Sequence, residues 1–252
     1  MYLPNLRYKV CRFIAFIFLA LNVTCTYANT TVLITPTTEL KYSEPVRLAQ
    51  AVEDAIKSHQ IPNSPIYWLG SSLLDISTPV NKSAVIDKLN ILAQSENSEP
   101  FLSKSFSNNA EWIEKNITFK KVITPLDFDT IRISQPDNPL LDGKYQIILS
   151  QRTNDILIFG AIEKPLSVKW KARTSASQYL VNANVLSSAD KSYVTVIQPD
   201  GHVEKHPIAY WNSNHHDIAP GATIFIGYQT LFSNYSDLNN DIISMLINRT
   251  LR

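Results

Sequence analysis

The chain of 252 residues is 44% hydrophobic and 18% charged, a globular balance that excludes a disordered chain. Its 23 Lys and Arg nearly cancel 22 Asp and Glu, so no basic field is available to recruit nucleic acid. Only 6 Gly occur, and the sequence holds neither a G-x-x-x-x-G-K nor a G-x-G-x-x-G phosphate loop.

At the N-terminus, Arg7, Lys9 and Arg12 precede an apolar run from Phe13 to Val23, followed by Thr26-Tyr-Ala28. This layout predicts a secretory signal peptide over residues 1–28, too short to span a bilayer, which needs about 20 apolar residues. An uncleaved anchor is one alternative. Acylation at Cys25 is another, although Asn22-Val-Thr24 lacks the usual lipoprotein pattern. Cleavage between Ala28 and Asn29 removes Cys11 and Cys25, the two cysteines, and with them any thiol nucleophile or thiolate metal site. It also removes three cations and no acid, taking the net charge from +1 to −2.

Thr31 to Thr35 is short and β-branched and predicts a strand; Glu39 to Ser43 alternates as its return. Pro45 opens a helical spacing of Val46, Leu48, Ala49, Val52, Ala55 and Ile56, and Ile66 to Leu69 resumes an extended pattern. Two helices follow, over residues 82–94 and 101–115. Strand patterns return at residues 117–119, 122–123, 129–133 and 145–149. A hairpin is predicted from residues 155–162 and 166–170, a short helix over 175–183, and further strands at 193–197, 203–210 and 223–228. The order strand–strand–helix–strand thus occurs twice, which predicts an α+β chain built from two copies of one small module.

Ile156-Leu-Ile-Phe-Gly-Ala-Ile-Glu-Lys-Pro165 and Pro220-Gly-Ala-Thr-Ile-Phe-Ile226 resemble the opening and closing strands of soluble-ligand-binding β-grasp domains. Leu126-Asp-Phe-Asp-Thr-Ile-Arg132, Asn138 to Tyr145, Ala189 to Gly201, Ala209-Tyr-Trp-Asn212, Ile226-Gly-Tyr228 and Asn248-Arg249 occur with them in order. Together they resemble the GfcC-type capsule biosynthesis proteins, over about residues 117–250 in detail and over 30–116 by layout. Phe128, where Pro is frequent, and Tyr228, where Phe is frequent, depart from that pattern. The resemblance implies two β-grasp domains, residues 29–79 completed by strands within 117–150, and residues 151–232. It also implies a helical hairpin insertion over 80–116 and a C-terminal amphipathic helix over 233–252. It implies a periplasmic location, and a non-enzymatic role in capsule or exopolysaccharide assembly and export. That role is docking to an outer-membrane polysaccharide export protein or binding the polysaccharide. A polysaccharide-modifying hydrolase or transferase is the alternative.

Three residues are candidate ligand contacts. Arg132 could grip an anionic glycan through its planar fork or form a structural salt bridge with Asp127 or Asp129. Asp127 and Asp129, two apart on a predicted strand, would share a face about 7 Å apart, but no second element supplies the carboxylate geometry of a glycosidase. No catalytic residue, cofactor or metal site is expected. His202, His206, His215, His216 and Asp217 could suggest a metal, yet their placement beside Asn212-Ser-Asn214 reads as loop structure. Trp170, Tyr193, Tyr210 and Trp211 form a candidate stacking platform for sugars. At the C-terminus, Ser236 is a candidate N-cap, and Leu238, Ile242, Met245 and Leu246 share one helical face. That face either packs on the protein itself or docks to an export channel.

Overall fold

A computed structural model describes residues 30–34, 38–58, 65–95, 99–212, 214, 216–229 and 235–251. The predicted signal peptide lies outside them. The fold is α+β, with three sheets and six α-helices among the described residues.

The first sheet begins with β1 (Thr30–Ile34), whose burial alternates residue by residue as a period of two requires. It pairs antiparallel with β2 (Thr38–Tyr42). After β3 (Val46–Arg47) the chain enters α1 (Leu48–Ser58), which buries Leu48, Ala51, Val52 and Ala55, one face of a 3.6-residue repeat. Then β4 (Ser72–Pro79), β5 (Phe119–Val122), β6 (Leu140–Leu141) and β7 (Lys144–Ile148) follow. The strand order is β2-β1-β7-β4-β5, with β7 parallel to β1 and antiparallel to β4. β3 and β6 form the two-stranded sheet. Val32, Ile34, Leu48, Val52, Leu73 and Ile147 fill the core between this sheet and α1.

Between β4 and β5 the chain makes a helical excursion, α2 (Ser83–Ala93) and α3 (Pro100–Asn116). Pro100 occupies the first turn, where its missing N–H costs nothing. Leu102, Phe106, Ala110 and Ile113 of α3 are buried, together with Val85 and Leu89 of α2. They belong to the core of the second sheet, not of the first.

Residues 129–133, predicted as a strand, are helical: α4 runs Phe128–Ile133. The β-branched alternation of Thr130, Ile131 and Ile133 imitates a strand. Asp127 overrides it, because its side chain accepts from the Thr130 N–H at 3.0 Å and caps the first turn. Only Ile131 of this turn is buried.

The second sheet contains β8 (Asp155–Gly160), β9 (Leu166–Lys169), β10 (Tyr193–Ile197), β11 (Val203–Pro207) and β12 (Thr223–Ile226). Its order is β11-β10-β12-β8-β9, with β12 parallel to β8. Each large sheet therefore opens with a hairpin and inserts its last strand in the middle, parallel to its first. The helix between the hairpins, α5 (Ala176–Leu180), is started by a capping box of Ser175 and Gln178. Gly160 has φ +104°, and a Cβ there would meet the Ile226 carbonyl oxygen at 2.1 Å. Only glycine fits. The last helix is α6 (Ser236–Leu246). Tyr235, not Ser236, stands at its N-cap, without a side-chain cap bond. No helix of the described residues is long and apolar enough to cross a membrane.

Candidate functional site

The two sheets meet at a seam built from buried and half-buried polar contacts. Tyr67 donates its N–H to Ser150 O (2.8 Å) and its hydroxyl to Pro220 O (3.0 Å). Gly70 lies so near Tyr67 and Leu251 that a Cβ would sit 2.6–2.7 Å from them. Lys121, on β5, is buried and donates through Nζ to Pro199 O at 2.9 Å, while its N–H donates to Asn248 Oδ1. Arg249 donates to Gly221 O at 2.6 Å and Thr223 Oγ1 at 3.2 Å. Ser150 Oγ donates to Leu251 O at 3.1 Å. Burial pushes the Lys121 ammonium down to about 8, with the nearby Arg249 charge adding to the effect. Burial also lowers the Arg249 guanidinium to about 10.

Two adjoining cavities open at this seam, of about 540 Å³ and about 410 Å³. Leu69, Asp200 and His202 line both. The larger is also lined by Trp170, Arg173, Gln198, Glu204, Asp217 and Pro220. The smaller is lined by Trp68, Ile123, Leu126 and Asp127. The walls therefore come from the 68–70 turn and the 123–127 segment on one side, and from the β10–β11 turn and the 217–220 segment on the other.

The groove side chains are held in place by their own bonds. Trp170 donates Nε1–H to Ile218 O at 2.7 Å, and the Arg152 guanidinium lies 5.2 Å from its ring centroid, an orienting cation–π contact. Gln198 spans the wall: its Nε2 donates to Asp217 O at 3.1 Å, and its Oε1 accepts from the Ala219 N–H at 3.1 Å. Asp200 Oδ1 accepts from the His202 N–H at 2.9 Å. Glu204 Oε2 lies 2.7 Å from Nε2 of the buried His206, and its Oε1 lies 3.9 Å from His202 Nε2. Leu69 and Ile123 add exposed apolar surface, 38% and 58% exposed.

The sequence-predicted residues are scattered relative to this groove. Asp127 lines the smaller cavity, but as a helix cap, so it shares no strand face with Asp129. Asp129 pairs with Arg132, Nε to Oδ1 at 3.1 Å, on exposed surface, and neither lines the cavities. The geometry is thus an exposed ion pair outside both of these cavities. The C-terminal face is also spent internally. Leu238, Ile242 and Leu246 are buried in the core of the second sheet, and Met245 packs against it. That face is not free to dock on a channel.

Of the predicted platform only Trp170 reaches the groove. Tyr193 lies under the Lys205 ammonium, 4.1 Å away, while Tyr210 is fully exposed and Trp211 is 73% exposed. Among the described residues no three His, Cys, Asp or Glu side chains cluster in a way that could hold a metal ion. His215 lies outside them. Sequence reasoning missed Trp68, Asp200 and Glu204. Pro199-Asp-Gly201 lies between the predicted strands 193–197 and 203–210, but nothing in the sequence places it opposite the 68–70 turn.

A family model described as Capsule biosynthesis GfcC, N-terminal matches residues 28–152, and one described as Capsule biosynthesis GfcC C-terminal matches residues 164–250. A curated relative, Uncharacterized protein YjbG of Escherichia coli (strain K12), is 35% identical over 126 residues. That segment is 49% of this chain and 51% of the relative.

Proposed function

Because the chain belongs to the GfcC capsule biosynthesis family, a name that points to capsule biosynthesis in general, we propose that it is a non-enzymatic periplasmic accessory protein of capsule or exopolysaccharide assembly and export. In this reading residues 1–28 direct export and are cleaved. The two large sheets with their helices are two β-grasp domains, the first over residues 29–79 and strands within 117–150, the second over 151–232. Residues 80–116 are an insertion, and 233–252 form a closing helical segment. The repeated strand order, with the last strand parallel to the first at the centre, supports this reading.

The observation that carries the function is the seam groove. Trp68 and Trp170 offer ring surface to the apolar faces of sugars, and Asp127, Asp200, Glu204, Asp217 and Gln198 offer acceptors and donors for hydroxyls. The carboxylates of Asp127, Asp200 and Glu204 are already engaged in the fold's own bonds. That favours a holding role over acid–base work. Docking to an outer-membrane polysaccharide export protein is a second element of the reading. Tyr210 and Trp211 favour it, being an exposed aromatic pair of the kind that anchors interfaces.

The test is a deletion strain scored for surface and intracellular polymer, complemented with the natural chain, Trp170→Ala, or Tyr210→Ala with Trp211→Ala. Loss from the surface with accumulation inside supports export, and failure of Trp170→Ala to complement supports the groove. A purified chain that releases reducing ends from the polymer supports the enzymatic alternative instead.

A further inference from the structure

The charges around the groove are lopsided. Asp127, Asp200, Glu204 and Asp217 line it, against one lining arginine, Arg173, and the imidazole of His202. Arg152, Lys121 and Arg249 line neither cavity. Arg152 lies against the Trp170 ring, Lys121 donates to Pro199 O beneath the seam, and Arg249 donates to Gly221 O and Thr223 Oγ1. Resting on the reading of the groove as a glycan site, we infer that it takes a neutral or amine-bearing sugar chain and rejects an acidic one.

The chemistry follows from these side chains. A carboxylate accepts hydrogen bonds from sugar hydroxyls, and more strongly from a protonated amine. A uronate or phosphate on the same sugar would face four carboxylates with Arg173 as the one guanidinium among the lining side chains, since Arg132 is paired to Asp129 outside the groove. Like charges juxtaposed across an interface penalise the wrong partner strongly. Trp170 is oriented by its bond to Ile218 O. Ring stacking on a sugar face is indifferent to charge, so the excess of carboxylates over the single lining guanidinium sets the discrimination.

Three hexasaccharides separate the outcomes by calorimetry at low salt: a β-linked glucosamine hexamer, cellohexaose and hexagalacturonate. The glucosamine hexamer and cellohexaose should bind, the former more tightly. Hexagalacturonate should bind at least tenfold more weakly than cellohexaose. Asp200→Asn keeps the oxygen that accepts from the His202 N–H, so it should fold, and it should narrow that gap. Trp170→Ala should abolish binding of all three. Hexagalacturonate binding as tightly as cellohexaose, and lost in Trp170→Ala, overturns the inference while the glycan-site reading stands. If none of the three binds, or if binding is indifferent to both substitutions, the inference and the groove reading fall together.

Discussion

Ile242 of α6 tests where the C-terminal helix spends its apolar face. Its side chain is fully buried, in the cluster that holds Phe106, Phe225 and Tyr228. Ile242→Ala removes three carbons, about 0.8 kcal/mol each as transfer from water. The neighbours belong to a sheet and a helix pair that cannot close freely on the gap, so a cavity contribution adds to this. The expected loss is about 3–4 kcal/mol, inside the range of about 2–5 for such truncations. In a chain of this size that lowers the melting temperature by roughly 6–16 °C. The assay is thermal and urea unfolding of the purified chain, with Ser244→Ala as control. Ser244 is exposed and its hydroxyl bonds only within the helix, to Asn240 O, so the control should change stability by less than about 0.5 kcal/mol. A drop of under about 3 °C for Ile242→Ala, equal to the control, would refute internal packing and return the face to the docking role.

Three other outcomes follow from the structure. Lys121 is held at about 8 against its ordinary 10.5, so the unfolded chain binds more protons between those values. Stability should therefore rise by about 3 kcal/mol as pH climbs from about 8 to 10.5, and stay flat in this contribution below 8; Lys121→Met should erase the rise in urea titrations across that window. Gly160→Ala puts a side chain at φ +104° and against the Ile226 carbonyl, so it should cost more than about 2 kcal/mol and lower soluble yield. Arg132→Ala breaks an ion pair whose side chains are 56% and 83% exposed, so its melting temperature should stay within about 2 °C of the natural chain and it should complement the deletion strain fully.

Strand positions were legible wherever β-branched and aromatic residues run together, as at Thr31 to Ile34 and Tyr193 to Ile197. The helix pair showed in the spacing of Val85 and Leu89 and of Leu102 and Phe106. The failure at residues 129–133 was local: a single capping carboxylate, Asp127, outweighed a β-like pattern. The groove was illegible for another reason. Leu69, Asp127, Trp170, Asp200 and Asp217 come from five separate segments, and no spacing relates them until the seam forms. Likewise Lys121 and Arg249 look like ordinary surface cations in the sequence; only the tertiary fold buries the first and half-buries the second.

The central parallel strands carry a consequence for the order of folding. In the first sheet Thr31 must find Lys144, and the helical excursion lies between them. In the second sheet Leu157 must find Thr223 across a shorter and simpler stretch. Closing the longer loop costs more chain entropy before any contact rewards it, and such non-local pairing folds slowly. The second sheet can form first and receive α2 and α3, which share its core. Their docking fixes Pro79 and Phe119, paired neighbours in the first sheet, before β7 has entered. The first sheet then completes around a loop already closed by its neighbour, so a mutation in the second core should slow folding of the first.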